Sequence, residues 1–220
     1  AYAVHRASRF MHAPTVTHLK DAKRILRYLA GTARRGLTYR RGQQVLLGTV
    51  DADWASNPQD RHSTTGFVFL YGGAPVAWCS RKQPAIAKSS TEAEYIAAST
   101  AAREALYLRK LLASLHRGPL SPTTLCIDNQ GAIAIANNPV VNDRSKHVDV
   151  CYHHIRDAIR NGAITTVYVP TARNTTDPLT KPVTPDVFTR CVPYLTGEWM
   201  DNAPDHESQA RMPFDRIPLP

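Results

Sequence analysis

The stretch Ser89-Ser90-Thr91-Glu92-Ala93-Glu94-Tyr95-Ile96-Ala97-Ala98 decides how the rest of the chain is read. Thr91 is a good N-cap, because its hydroxyl can accept an orphan backbone N–H. Glu94 stands three residues on, at capping-box spacing. The apolar residues that follow, among them Tyr95, Ile96, Ala102, Ala105, Leu108 and Leu112, predict a helix over 91–115. On a 3.6-residue period Glu92 shares a face with Tyr95, Ile96 and Ser99, while Glu94 lies roughly 200° further round, where capping can satisfy it. Glu92 is therefore expected to be a carboxylate on the core side of the first turn. Such a group needs a partner, a proton or a metal.

Upstream of this helix the pattern is that of strands. Residues 45–54, Val-Leu-Leu-Gly-Thr-Val-Asp-Ala-Asp-Trp, read as a buried strand ending in acids. The runs 67–71 and 74–80 flank Gly72-Gly73 and read as a hairpin. Downstream, Gly118-Pro119 ends the helix and 123–127 form a fourth strand that runs into Asp128. An Ala-rich helix over 129–137, a helix over 147–161 closed by Gly162, and an alternating strand over 164–169 follow. The order β-β-β-α-β-α-α-β predicts an α/β fold. Its five-stranded mixed sheet has three antiparallel strands and then α/β units, with helices on both faces.

The ends of the chain differ from this middle. The 220 residues carry 27 basic and 18 acidic side chains, a net charge of +9. Residues 1–45 alone hold 10 basic residues and one acid, 46–182 are near balance, and 183–220 are acidic. A basic chain favours a polyanion, most often nucleic acid. Residues 1–12 read as irregular, and Pro14 opens a helix over 15–30 with Lys20, Lys23, Arg24 and Arg27 on one side. A hairpin is expected around Gly36-Leu37-Thr38-Tyr39, and the proline-rich stretch 183–220 reads as a tail. Cys79, Cys126, Cys151 and Cys191 form no Cys-x-x-Cys, so reduced thiols are expected. No run has membrane length and no signal peptide is visible. The opening at Ala1 suits a piece of a longer polypeptide.

Four acids stand at element boundaries: Asp51, Glu92, Asp128 and Asp177. A mixed sheet can bring such positions to one edge, where clustered carboxylates raise one another's pKa unless cations bind. Hard oxygen donors select Mg²⁺ or Mn²⁺, and two such ions suit phosphodiester hydrolysis.

Several further stretches carry a resemblance. They are Val50-Asp51-Ala52-Asp53-Trp54-Ala55, residues 61–69, Trp78-Cys79-Ser80-Arg81-Lys82-Gln83 and residues 89–95. Cys126-Ile127-Asp128-Asn129-Gln130, Lys146-His147-Val148-Asp149-Val150, Tyr168-Val169-Pro170 and residues 177–182 complete the set. Over about 48–182 the chain resembles the ribonuclease H region of copia-type LTR-retrotransposon Pol polyproteins. Residues 1–45 resemble the end of the preceding reverse transcriptase, which makes 46–182 the expected RNase H-like domain. The resemblance implies cleavage of the RNA strand of an RNA–DNA hybrid, leaving 3′-hydroxyl and 5′-phosphate ends. It implies two Mg²⁺ ions, which Mn²⁺ can replace, on Asp51, Glu92, Asp128 and Asp177. Asp53 rivals Asp51, which is preferred because it follows directly on the apolar run. The partners implied are the hybrid and the rest of the same polyprotein, in the cytoplasm or in virus-like particles, with a nuclear phase open and no membrane. Many relatives carry a His in the loop before the last acid. Here that loop, 171–176, has none, and Arg173 is the candidate substitute.

Arg81, Lys82 and Lys88 are candidate phosphate contacts, and Asn129 and Gln130 could read the 2′-hydroxyls of RNA. Their bland readings are a solvated loop and helix capping. Trp54 and Trp78 are expected in the core. His147, His153 and His154 lack a Cys pair to complete a zinc site. Two other functions are carried alongside: a module of the same fold that binds nucleic acid or supports the polymerase without cutting, and an integrase-type nuclease. The early position of the helix Glu argues against the last.

Overall fold

The computed structural model describes residues 1–39, 45–56, 60–117, 121–138 and 154–198. Two N-terminal helices, α1 (Tyr2–Ser8) and α2 (Val16–Gly31), precede the strands β1 (Leu47–Asp53), β2 (Thr64–Tyr71) and β3 (Ala74–Lys82). Then come α3 (Ser90–Ser114), β4 (Thr123–Ile127), α4 (Gln130–Asn137), α5 (His154–Arg160) and β5 (Ile164–Tyr168). Two last helices follow, α6 (Asp177–Thr180) and α7 (Pro185–Thr196). The sheet order is β3-β2-β1-β4-β5. β1–β2 and β2–β3 pair antiparallel, while β1–β4 and β4–β5 pair parallel. This is the five-stranded mixed α/β sheet that the element order implied, and the fold is RNase H-like.

Alternation along the strands sends Val50, Phe67, Phe69, Leu125 and Ile127 to one side, where they pack on α3, α4 and α5. The α3 surface that meets them is mostly alanine: Ala93, Ala97, Ala98, Ala101, Ala102 and Ala105 are all fully buried. Small side chains let the helix axis come close to the sheet. On the other side, Val68 and Leu70 of β2 pack on Leu179 of α6 and Leu195 of α7. Gly66 of β2 is what lets α6 approach. A Cβ there would lie 2.6 Å from Thr180 Cγ2 and 3.0 Å from Leu179 Cβ.

The ends differ from expectation in three places. Residues 2–8, read as irregular, form α1, which packs on α2, β3 and α6. No strand forms over 34–39, so the hairpin expected there is not seen, and its remainder lies outside the described residues. Instead the Thr38 amide donates to Thr196 O at 3.0 Å, and the Tyr39 hydroxyl donates to Pro75 O at 2.6 Å. The stretch read as a tail begins with α7, whose Cys191 and Val192 are buried. Proline suggested a linker, but Pro185 opens the helix, a position where its missing N–H is no loss. Residues 199–220, and the first seven residues of the expected helix over 147–161, with His147 and His153, lie outside the described residues. No helix among the described residues is long and apolar enough to cross a membrane.

Candidate active site

Parallel pairing of β1 with β4 sets Asp51 and Asp128 side by side. β1 carries Asp51 near its end, and the neighbouring β4 stops at Ile127, one residue before Asp128. The third acid comes from α3, and it is Glu94. Oxygens of Asp51, Glu94 and Asp128 lie within 4.8 Å of one another.

Glu92, expected in this place, does not join the group. The true N-cap is Ser89, whose hydroxyl accepts the Glu92 amide at 3.1 Å. That shifts the helix start by two residues and puts Glu92 at the third helical position. Its carboxylate accepts the Lys88 amide at 2.9 Å, which is work at the helix terminus. Glu94 is only 5% exposed. Its Oε1 accepts the Ala52 amide at 2.9 Å, and its Oε2 is buried without a hydrogen-bond partner.

Burial raises Glu94 to about 9, reinforced by the charges of Asp51 and Asp128. Burial also raises Asp51 to about 6, against the opposing pull of Lys181 and of the Thr180 hydroxyl. Two adjacent buried carboxyls that resist ionisation, one with an orphan oxygen, are the donor set a hard cation relieves. Asp53, the alternative to Asp51, is half-buried and outside the trio, and burial raises its pKa too.

Asp177 stands at the start of α6, 7% exposed. Its carboxylate holds Lys181 Nζ at 2.7 Å, and the same ammonium lies 4.0 Å from Asp51 Oδ2. Thr180 donates its hydroxyl to Asp51. The short helix and the lysine that follows it therefore give the site three side chains, of which only the first acid was read from the sequence. Asn174, fully buried, was also missed. Its amide donates to Val50 O at 2.9 Å, and its carbonyl accepts the Thr176 amide at 3.0 Å. This clamps the loop before Asp177 onto β1, one residue from Asp51. The signal was an Asn three residues before an acid in a polar loop, too common a pattern to single out.

The other candidates are spread around this centre. Arg81 is exposed at the end of β3, Lys82 pairs with Asp60, and Lys88 is exposed before α3. Asn129 caps α4 by accepting the Ala132 amide at 2.9 Å, so the capping role is present there. Gln130 and Arg173 are exposed. His154, read with the zinc candidates, instead contacts Ser99, with Nε2 at 2.9 Å from its carbonyl oxygen. Trp54 and Trp78, expected in the core, are 46% and 55% exposed. Trp54 sits past the buried part of β1 and donates its indole N–H to Ala87 O at 3.0 Å. Trp78 points away from the α3 side of an edge strand.

The sheet and its acidic centre define a ribonuclease H-like domain. No protein-family model matches the chain. The retrovirus-related Pol polyprotein from transposon RE1 of Arabidopsis thaliana is 41% identical over 189 residues, 86% of this chain and 13% of that protein. The corresponding protein from transposon TNT 1-94 of Nicotiana tabacum is 37% identical over 191 residues, 87% of this chain and 14% of that one. Among solved structures, LC11-RNase H1, isolated from compost, gives a TM-score of 0.46 at 15% identity, covering 68% of this chain and 99% of that one. Over most of its length the chain is similar to the retrovirus-related Pol polyproteins of plant transposons, and it spans about an eighth of their length.

Proposed function

We propose that this chain is a ribonuclease H that hydrolyses the RNA strand of RNA–DNA hybrids during retrotransposon reverse transcription, using divalent metal ions. The observation that carries the proposal is the Asp51–Glu94–Asp128 group, buried enough to hold Glu94 near pKa 9 and left with an orphan oxygen. These three residues would hold Mg²⁺, or Mn²⁺ in its place, and Asp177 would complete a second position beside Asp51. When bound, the ions supply a nucleophile from water at neutral pH and stabilise the leaving 3′ oxygen.

The chain's own groups prepare the site. The Ala52 amide fixes Glu94 Oε1, while Oε2 stays buried without a hydrogen-bond partner. Thr180 and Lys181 oppose the effect of burial on Asp51 and so favour its ionised form. Lys181 also neutralises Asp177, so the second pair of carboxylates carries its own cation until a metal arrives. Asn174 keeps the Asp177 loop in register with β1.

The test is cleavage of a labelled RNA–DNA hybrid with Mg²⁺ or Mn²⁺, and with EDTA, beside double-stranded RNA and DNA. Metal-dependent cutting of the hybrid's RNA alone is expected. Hybrid binding without any cutting would overturn the nuclease reading in favour of a binding module.

A further inference from the structure

We infer that α1, which lies outside the expected catalytic domain, completes a cationic site with the end of β3 and that this site takes two neighbouring backbone phosphates of the bound nucleic acid, one on Arg9 and one on Arg81. The inference deepens the nuclease reading and rests on it for the identity of the ligand.

Three observations meet at one place. His5 of α1 accepts the Lys82 backbone amide on its Nε2 at 3.1 Å, which pins the helix to the last residue of the edge strand. An imidazole that accepts there is neutral on that nitrogen. Burial, and then the charges of Arg9, Arg81 and Lys82, push its pKa down, so three cations surround it. Arg9, one helical turn on from His5, is half-buried, and its Nε and Nη2 have no hydrogen-bond partner among the described residues. A guanidinium withdrawn from water with unmet donors is costly unless an anion joins it, and its planar fork suits phosphate. Within the cluster the acid is Asp60, and it is engaged by Lys82. Among the described residues Arg81 is exposed and Arg9 Nε and Nη2 have no partner, so the cluster keeps positive charge to offer.

Its position fits a strand tracked through the active site. Lys82 pairs with Thr64, and Thr64 with Asp53; Arg81 pairs with Thr65, and Thr65 with Ala52. Two strand spacings make about 10 Å between the cluster and the end of β1, which carries Asp51. At about 3.4 Å of axial rise per nucleotide, that is roughly three nucleotides along one strand. Phosphate contacts of this kind set register on a duplex without reading sequence.

The experiment measures fluorescence anisotropy of a labelled RNA–DNA hybrid with the full chain carrying Asp128→Asn to prevent cutting, across a range of KCl. Adding Arg9→Ala and Arg81→Ala together should weaken binding about tenfold. The slope of log affinity against log salt should flatten by about two, near 0.9 for each phosphate that is no longer neutralised. Arg9→Lys should restore part of the slope, and Arg24→Ala on α2 should leave it unchanged. An unchanged affinity and slope in the double variant, with an unchanged melting temperature, overturns the inference. If the Arg9 variant fails to fold, Arg81→Ala alone decides, with a flattening of about one expected and none overturning it. A flattened slope in a chain whose parent never cuts hybrids would leave the phosphate site standing and remove the nuclease reading. Cutting with an unflattened slope would do the reverse.

Discussion

Glu94 Oε1 accepts a hydrogen bond from the backbone amide of Ala52, the residue that follows Asp51. One short contact thus ties the first turns of α3 to β1 and sets two of the acids against each other. It also separates two glutamates that stand two residues apart in the chain. Glu94→Gln is expected to lower hybrid cleavage by at least about two orders of magnitude, the scale of removing a group that stabilises charge only in the transition state. Glu92→Gln should leave the cleavage rate within a factor of a few, and cost no more than about 1 kcal/mol of stability through the helix terminus. Single-turnover cleavage and thermal melting of the two variants check this. Equal loss from both would refute the assignment of Glu94.

The metal-free protein should lose stability as pH rises. Glu94 ionises near its ordinary value of 4.5 when unfolded but holds its proton to about 9 when folded, and Asp51 shifts from 3.8 to about 6. Between each pair of values the folded state binds more protons, so the unfolding free energy falls with pH. The Asp51 share is lost from about 4 to 6 and the Glu94 share from about 4.5 to 9. Divalent metal replaces those protons, so the rise in melting temperature on adding Mg²⁺ should grow across the same range. Melting curves at several pH values, with Mg²⁺ and with EDTA, measure it. A metal effect independent of pH would show that these carboxyls do not take the ion.

The single ammonium of Lys181 faces two buried acids before any metal is present. Lys181→Met leaves the Asp177 carboxylate without its cation, and breaking a buried pair costs about 3 kcal/mol. This site is partly open to water, so about 1–2 kcal/mol is expected in EDTA. Mg²⁺ should recover much of that loss, giving the variant a larger metal-induced stabilisation than the parent. Calorimetric titration of metal into both proteins tests the same point without any substrate. A parent and variant with equal metal responses would place the ammonium outside the site's charge balance.

Gly66 is a spacer between β2 and α6. Gly66→Ala puts a methyl 2.6 Å from Thr180 Cγ2 and forces the helix outward. A cost of about 1–3 kcal/mol is expected from overpacking. Cleavage should fall further than stability explains, because Thr180, Asp177 and Lys181 all ride on the displaced helix. Normal cleavage at a temperature where the variant is fully folded would contradict this.

Much of the architecture was legible from alternation and turns. The strand runs around Val50, Phe69 and Ile127 have the period and the β-branched or aromatic side chains that only a buried sheet uses well, and the element order then left few topologies. Asp51 and Asp128 could be read because each follows directly on such a run. Glu94 could not. Phase analysis weighs large apolar residues, and the outer face of α3 holds Leu111 and Leu115, both substantially exposed. The face that meets the sheet is alanine, which carries little signal, and from Ala93 to Ser99 the helix is buried all round. Asn174, Thr180 and Lys181 matter through contacts more than a hundred residues away in the chain for the first two, which no local pattern encodes.

The bond from the Thr38 amide to Thr196 O has a consequence for how such a unit could be cut from a polyprotein. It joins a residue well before the first strand to one well after the last acid, and Arg35 with Glu198, 3.2 Å apart, adds a second link beside it. A protease that trimmed the chain to 46–182 would remove both halves of this clasp, the Tyr39 anchor on Pro75 and the helix whose Leu195 covers Val68 and Leu70. The smallest piece that keeps its own closure runs from about Arg35 to Glu198. Processing sites that respect the fold would therefore lie outside those two residues, well beyond the borders of the acidic motifs.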